Sequence, residues 1–338
     1  MAKLITRRTA GLYFGAAVTT LSLKPSFAAT SKKIAIMPKT LINDVYQILI
    51  SEAAADEAKK LGIPSERFAS SSDTAVQDQI DTIEALIARG EFGAIVLAAT
   101  DSRGLGNVLR KAKSAGLFVV LVDSGVVGDD YVTVIQTDNI AAAGTGATYG
   151  AKVIGGKGNV VILEGEPGGQ TALERKQGFQ QAIAKFPGLT LMSSVVGHWT
   201  LPGGVNATEA ILAGNSDLSL ILASSDMMGV GARQVIDRAA KKAAANGDKK
   251  KADALNNIKI VGFDGVSEGI ESVWNDRFSA DVAQRPAFMG QKAVQIAAAL
   301  MSGQKKPSDF PKRIDSGMTL VTPENVAQYA ASMNLKKA

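Results

Sequence analysis

Short apolar runs alternate along the chain with longer stretches in which apolar residues recur every three or four positions. Uninterrupted runs rich in Val, Ile, Leu and Ala are typical of parallel strands buried on both faces, and the longer stretches indicate amphipathic helices. The alternation predicts an α/β protein with doubly wound parallel sheets and right-handed helical crossovers. The predicted strands are 33–37, 93–98, 118–122, 131–136, 159–163, 189–196, 218–223, 258–261, 278–282 and 318–321.

The first 28 residues have the three-part pattern of an export signal. Arg7 and Arg8 form a charged start, residues 11–23 form an apolar run too short to span a bilayer, and Ser26 and Ala28 supply the small residues of a cleavage site. We predict a signal peptide over residues 1–28. The paired arginines favour the twin-arginine route over ordinary secretion, although the Phe-Leu that usually follows them is missing.

Composition narrows the function classes. The chain has 338 residues, no cysteine and one histidine, His198, which excludes disulfides, thiolate metal sites and multi-histidine metal sites. The net charge is +5, but residues 1–28 hold four bases and no acid, which leaves 33 bases against 32 acids. Because a near-neutral chain lacks a basic footprint, no nucleic acid is expected. We expect a protein free in the periplasm, with no metal and no cofactor.

One motif resembles an enzyme signature. Residues 265–269 read Gly-Val-Ser-Glu-Gly and follow a predicted strand, as in the nucleophile elbow of α/β-hydrolases. The serine of that fold needs a histidine base later in the chain, whereas His198 comes earlier. We therefore interpret the motif as a turn that starts a helix, and we expect no enzymatic activity.

Polar and aromatic residues follow the carboxyl ends of the predicted strands, where open parallel sheets bind their ligands. The set contains carboxylates, an amide, a guanidinium, an ammonium, a hydroxyl and two large aromatic rings. Its members are Lys39, Asp44, Tyr46, Asp123, Arg175, Trp199, Ser225, Asp264 and Gln284. Asp101 also follows a strand, and we interpret it as a helix cap.

This set suits a neutral ligand with many hydroxyl groups. Each hydroxyl both donates and accepts, so carboxylates take its proton while arginine and glutamine donate to its lone pairs. Flat rings such as those of Trp199 and Tyr46 cover the C–H faces of a sugar and remove apolar area from water. No nucleophile lies beside a base, so the pattern favours binding over turnover.

The sequence resembles the type I periplasmic sugar-binding proteins, the ribose-binding cluster that includes rhamnose-type and autoinducer-2-type proteins. The likeness runs from Ile34 to Val321 through AADEAKKLG, TALERKQGFQQAI, SSDMMGVGA, IVGFDG and VAQRP, in that order. The resemblance implies two lobes joined by a three-segment hinge, a ligand in the cleft, and delivery to the permease of an ABC importer. A chemoreceptor is a further partner of the family, and we expect a monomer.

The resemblance also assigns the lobes and the ligand contacts. An N-terminal lobe is expected over 30–137 plus 285–313, and a C-terminal lobe over 138–284 plus 314–338, with crossovers near 137–138, 284–285 and 313–314. Closure of the hinge on the ligand is the expected mechanism. The nine residues named above match the family's ligand positions, of which the lysine in MPK is typical of the rhamnose-like and autoinducer-like branches.

Three departures put ribose itself in doubt. Ser124 stands where ribose binders have an arginine, Ser225 where they have an asparagine, and Gln47 where they have a second phenylalanine. The loss of a donor near the ring oxygen favours an acyclic polyol over a cyclic sugar, while Lys39 would replace the missing charge. An autoinducer-2-like signalling solute is the alternative. A repressor-type sensing domain would need a DNA-binding segment before the first strand, where the export signal lies.

Overall fold

A six-stranded sheet forms the centre of the first lobe in the computed structural model, which describes residues 32–214 and 217–337. Its strands are β1 Lys33–Met37, β2 Ser65–Arg67, β3 Phe92–Leu97, β4 Phe118–Val122, β5 Thr133–Gln136 and β11 Arg313–Asp315. They lie in the order β11-β5-β4-β3-β1-β2, and every neighbouring pair is parallel.

A second six-stranded sheet repeats this design in the second lobe. Its strands are β6 Lys157–Glu164, β7 Gly188–Val196, β8 Leu220–Ala223, β9 Lys259–Asp264, β10 Ala280–Ala283 and β12 Thr319–Val321. The order is β12-β10-β9-β8-β6-β7, and only the edge strand β12 runs antiparallel to its neighbour. Two doubly wound lobes with parallel sheets confirm the predicted fold class.

Helices cover both faces of each sheet. The first lobe contains α1 Val45–Lys60, α2 Val76–Arg89, α3 Gly106–Ser114 and α10 Pro286–Met301. The second contains α4 Asn139–Val153, α5 Gln170–Ile183, α6 Leu201–Gly214, α7 Asp226–Ala245, α8 Lys249–Asn256, α9 Ser267–Trp274 and α11 Val326–Ser332.

The apolar runs of the sequence become central strands because both of their faces are covered. In β3, Ala94 and Val96 pack into one apolar cluster, while Ile95 and Leu97 pack into another on the opposite face. The same alternation divides β6 and β8 between two clusters in the second lobe. Side chains of a strand point to opposite faces in turn, so a fully apolar strand needs a layer of helices on each side.

The chain passes between the sheets three times. It leaves the first sheet after β5 and returns to the first lobe between β10 and α10. The third passage differs from the prediction, because residues 313–314 lie within β11, which pairs with β5. The chain changes sheets between Asp315 and Thr319.

All ten predicted strands are present, with ends shifted by at most three residues. The sequence pattern missed β2 and β11, which are three-residue edge strands of mainly polar composition. In the part of the chain that the structure describes, no helix is long and apolar enough to cross a membrane. The predicted signal peptide, residues 1–28, lies outside the described residues.

Candidate functional site

A cavity lies between the two lobes at the carboxyl ends of their strands. Its volume is about 220 Å³. The cavity is lined by Lys39, Thr40, Ile42, Asn43, Asp44, Val45, Tyr46, Gln47, Ser71, Ser72, Asp73, Asp123, Thr171, Arg175, Trp199, Thr200, Ser225, Met227, Asp264 and Val266.

Asp123 is the centre of the first lobe's wall. It directly follows β4 and has a backbone φ of 61°, a left-handed value that is uncommon outside glycine. Its Oδ2 accepts hydrogen bonds from Lys39 Nζ at 2.9 Å, Gln47 Nε2 at 3.0 Å and Ser124 Oγ at 3.3 Å. Its Oδ1 takes no hydrogen bond from any described residue, so one oxygen is left for a ligand.

Asp264 has the matching position in the second lobe, at the end of β9. Its Oδ1 accepts from Arg175 Nη1 at 3.0 Å and from Gln284 Nε2 at 2.8 Å. Asn139 Oδ1 and the Ser224 carbonyl hold the same guanidinium at 3.0 and 2.6 Å. Within residues 32–214 and 217–337, no group donates to Oδ2 of Asp264, which therefore repeats the arrangement of Asp123.

Trp199 lines the cavity, and its backbone has a left-handed conformation that glycine adopts more easily. His198 and Trp199 have φ values of 53° and 62°, and such left-handed residues are strained unless their surroundings hold them. Ser225 Oγ donates to the Trp199 carbonyl at 3.0 Å and accepts from Met228 N at the start of α7. Ser225 thus ties the strained turn to a helix cap, a role that the sequence did not predict for it.

Cations approach the indole of Trp199 from both lobes. Arg175 Cζ lies 5.4 Å from the ring centroid, and Lys39 Nζ lies 6.0 Å from it. The guanidinium also lies 3.8 Å from the centroid of Phe263. These contacts restrict the ring and both cations before any ligand enters, which lowers the conformational entropy lost on binding.

Tyr46 and Asp44 complete the wall next to α1. Tyr46 is a buried residue of the cavity wall, and its hydroxyl contacts Met289 Sδ at 3.5 Å. Asp44 caps α1 by accepting from Gln47 N at 3.0 Å. Both residues therefore have a structural role as well as a place in the cavity wall.

Burial raises the pKa values of three acids in the cavity wall, Asp44, Asp73 and Asp264. The pKa of Asp44 is raised to about 6 and that of Asp264 to about 7, in each case mainly because burial disfavours the charged form. Arg175 opposes the shift at Asp264 but does not cancel it. Burial also raises the pKa of Asp73, helped by the nearby charge of Glu166.

Eight of the nine predicted site residues line the cavity. Gln284 does not line it and acts behind it, by holding Asp264. The structure adds Gln47, Thr171 and Asp73, which sequence reasoning did not assign as contacts. Gln47 could have been assigned from the sequence, because it directly follows Tyr46 in a segment predicted to belong to the site.

His198 and Asp101 lie at the edge of this arrangement. His198 Nδ1 contacts Glu166 Oε2 at 2.5 Å, and its side chain is 57% exposed. Asp101 Oδ1 accepts from the backbone N–H groups of Arg103 and Gly104, so it holds the turn before α3 and does not cap the helix, whose N-cap is Leu105. The described residues contain no group of three or more acids or histidines arranged to hold a metal ion.

The interlobe contacts describe a closed cleft. Ser102 Oγ in the first lobe donates to the Gly168 carbonyl in the second at 2.7 Å. Thr171 Oγ1 donates to the Asp123 carbonyl at 3.2 Å and lies 2.9 Å from Ser124 Oγ. These hydrogen bonds join segments from the two lobes beside the cavity, so opening the cleft would break them.

Several proteins similar to this chain are named as sugar or polyol binders. The ribose import binding protein of Haemophilus influenzae is 29% identical to this chain, and the match covers 91% of this chain and 97% of the relative. The xylitol-binding protein of Mycolicibacterium smegmatis is 28% identical, and the match covers 76% of this chain and 68% of the relative. A solute-binding protein of an ABC transporter from Burkholderia graminis, solved with D-arabinose, has a TM-score of 0.79 and 25% identity, covering 89% of this chain and 98% of its own. Residues 34–305 match the periplasmic binding protein domain. The chain belongs to the periplasmic binding protein family.

Proposed function

We propose that the protein captures one neutral, polyhydroxylated molecule, a sugar or a sugar alcohol, and delivers it to an ABC importer. The observation that carries the proposal is the pair Asp123 and Asp264. In each, donors hold one carboxyl oxygen while no described residue donates to the other, and the two residues line one cavity from different lobes. Ribose and xylitol, for which two of the relatives are named, and D-arabinose, bound in a third, have the hydroxyl groups that such oxygens bind.

Capture follows from closure of the cleft on the ligand. Lys39, Asp44, Tyr46 and Asp123 supply contacts from the first lobe, and Arg175, Trp199 and Asp264 supply them from the second. Because a bridging ligand binds the closed form better than the open form, it shifts the population toward closure. The lobes that move are 30–137 with 285–315 and 138–284 with the C-terminal segment from β12, and the importer would recognise the closed shape.

The experiment that tests capture is a thermal-shift screen of the mature protein, followed by calorimetry. The panel contains pentoses, hexoses, deoxyhexoses, acyclic polyols and autoinducer-2. Ligand at about 1,000 times its dissociation constant adds roughly 4 kcal/mol of stability, which raises the melting temperature by several degrees. A rise with one stereochemical group supports capture and decides between cyclic sugar and polyol, whereas a flat panel beside a responding ribose-binding control rejects the proposal.

Export to the periplasm is part of the proposal, and it rests on residues 1–28 of the sequence together with the periplasmic family. Mass spectrometry of the exported protein should find an N-terminus at about Ala29. Replacement of Arg7 and Arg8 by lysine should block export if the twin-arginine route is used. Unchanged export of that variant would assign ordinary secretion instead.

A further inference from the structure

Two fully buried carboxyl groups lie in the second lobe, outside the wall of the interlobe cavity. Asp226 is the first residue of α7, Asp281 lies in β10, and both are 0% exposed. Neither lines the cavity, and neither is part of the set of ligand contacts proposed above. A buried acid is costly unless it is paired or neutralised, so this pair needs a physical reason for its position.

Asp226 holds the turn that presents Asp264. Its Oδ2 accepts from Gly265 N and from Val266 N, both at 3.0 Å. These two residues follow Asp264 directly, and Asp264 itself has a φ of 131°, a conformation that L residues rarely adopt. Val266 begins α9 without a side-chain cap of its own, so the Asp226 carboxyl also satisfies the start of that helix.

Asp281 completes the group from the neighbouring strand. A Cβ added to Gly262 would lie 2.5 Å from Asp226 Oδ1 and 2.8 Å from Asp281 Oδ2, so the two oxygens converge over one glycine. No described donor reaches Asp226 Oδ1 or either oxygen of Asp281. The facing oxygens of the two side chains therefore have no described partner except each other, and two carboxyl groups can hydrogen-bond only when one of them carries a proton.

We propose that Asp226 and Asp281 share one proton and act together as a positioning pair that fixes the Asp264 turn for ligand binding. Asp226 Oδ1–H donates to the Asp281 carboxylate, while Asp226 Oδ2 keeps the two backbone N–H groups. The shared proton is proposed for the ligand-free protein and does not depend on which ligand binds. The positioning role rests on the proposed function, because it assumes that Asp264 contacts the ligand.

The surroundings favour the protonated acid. The other titratable or charged groups that act on the pair or its neighbours are Asp264 on β9, Arg175 on α5, Tyr329 on α11 and Arg285 before α10. Arg175 is hydrogen-bonded to Asp264 and does not contact Asp226 or Asp281. Burial accordingly raises the pKa of Asp226 well above its usual range, and the neighbouring charge of Asp281 adds to that shift.

Infrared difference spectroscopy of the ligand-free protein tests the shared proton. At about pH 8, where an ordinary carboxyl is ionised, the wild type should show a protonated-carboxyl C=O band that shifts in D2O. Asp226→Asn and Asp281→Asn should each abolish the band, because one amide then donates to the remaining carboxylate. The matched control Asp253→Asn changes an exposed acid of α8 and should leave the band unchanged. A wild type without the band overturns the shared proton.

Ligand binding tests the positioning role separately. Asp226→Ala removes the acceptor of the turn and should weaken binding by at least about tenfold, the loss expected for unpaired backbone donors. Asp226→Asn retains an oxygen for the two N–H groups and an amide for Asp281, so its affinity should stay within about threefold of wild type. Equal affinities for the alanine variant and the wild type reject the positioning role. If no ligand is found at all, the proposed function fails while the infrared result still decides the proton.

Discussion

Gly165 lies so close to the indole of Trp199 that a β-carbon at this position would overlap the ring. The glycine follows β6, and its missing side chain provides the space in which the indole lies beside the cavity. The position of Trp199 therefore depends on three features together: the absent side chain of Gly165, the hydrogen bond from Ser225, and the left-handed turn.

Gly165→Ala should displace the indole and weaken ligand binding. Overpacking of a close contact costs on the order of 1–3 kcal/mol, and here the ring moves more easily than the strand. Calorimetry measures the affinity, and tryptophan fluorescence in a Trp274→Phe background, where Trp199 is the remaining tryptophan, reports the displacement. Gly106→Ala is the control, because nothing lies within 4 Å of its added carbon. Two variants with the same affinity would show that the space at Gly165 is not required.

Trp199→Ala should weaken binding by on the order of 1–3 kcal/mol, through the loss of apolar contact with the ligand. Trp199→Phe retains a flat ring and should recover part of the loss. Calorimetric titration of both variants with the ligand found in the screen measures the two effects. Wild-type affinity in the alanine variant would contradict the role of Trp199 as a platform.

Lys39→Met should destabilise the ligand-free protein by about 3–5 kcal/mol, because it leaves the buried carboxylate of Asp123 without its cation. The side chains of this pair are only 11% and 4% exposed. Lys111→Met breaks the exposed pair with Glu84, at 63% and 47% exposure, and should cost less than about 1 kcal/mol. Urea denaturation compares the two variants, and equal losses would refute the structural role of Lys39.

Ligand affinity should increase as the pH rises from about 5 to about 8. Burial raises the pKa of Asp264 to about 7, and a hydroxyl that donates to the carboxylate favours its ionised form, so binding releases a proton. Calorimetry across this range should show the slope in the wild type. Asp264→Asn should bind more weakly and lack the part of the slope centred near pH 7. An unchanged slope in that variant would contradict the assignment.

The free energy of unfolding of the ligand-free protein should change in the opposite direction. The folded-state pKa values of Asp264 and Asp44, about 7 and about 6, lie above those of the unfolded chain. Between the unfolded and folded values the native state binds more protons, so stability falls as the pH rises through this interval. Denaturation at a series of pH values measures the fall, and Asp264→Asn should reduce it.

Strands could be predicted from the sequence where burial on two faces leaves a long apolar run. The edge strands β2 and β11 could not, because three mainly polar residues have no periodicity. The pairing of β11 with β5 depends instead on where α10 brings the chain. Long-range placement of this kind explains why the third passage between the lobes was predicted a few residues too early.

The site could be predicted as a set of residues but not as a division of roles. Both Ser225 and Gln284 are predicted ligand contacts; the structure adds that Ser225, in the cavity wall, holds the Trp199 carbonyl, and that Gln284 holds Asp264. Asp226 stands beside Ser225 in the same motif, yet only the folded chain brings it to Asp281 and Gly265. The role of each residue depends on hydrogen bonds between segments that are distant in sequence, and residue type alone does not predict those bonds.

The threefold passage of the chain between the lobes has a consequence for its synthesis. Gln295 Nε2 in α10 donates to Glu57 Oε1 in α1 at 2.8 Å, across 238 positions of sequence. The backbone of α1 also packs against Gly290, so the first lobe lacks a central helix until the ribosome has made nearly the whole chain. The part of the first lobe that is made first therefore stays incomplete while the second lobe folds. Contacts of such long range slow folding, so this lobe is expected to be the last part to mature.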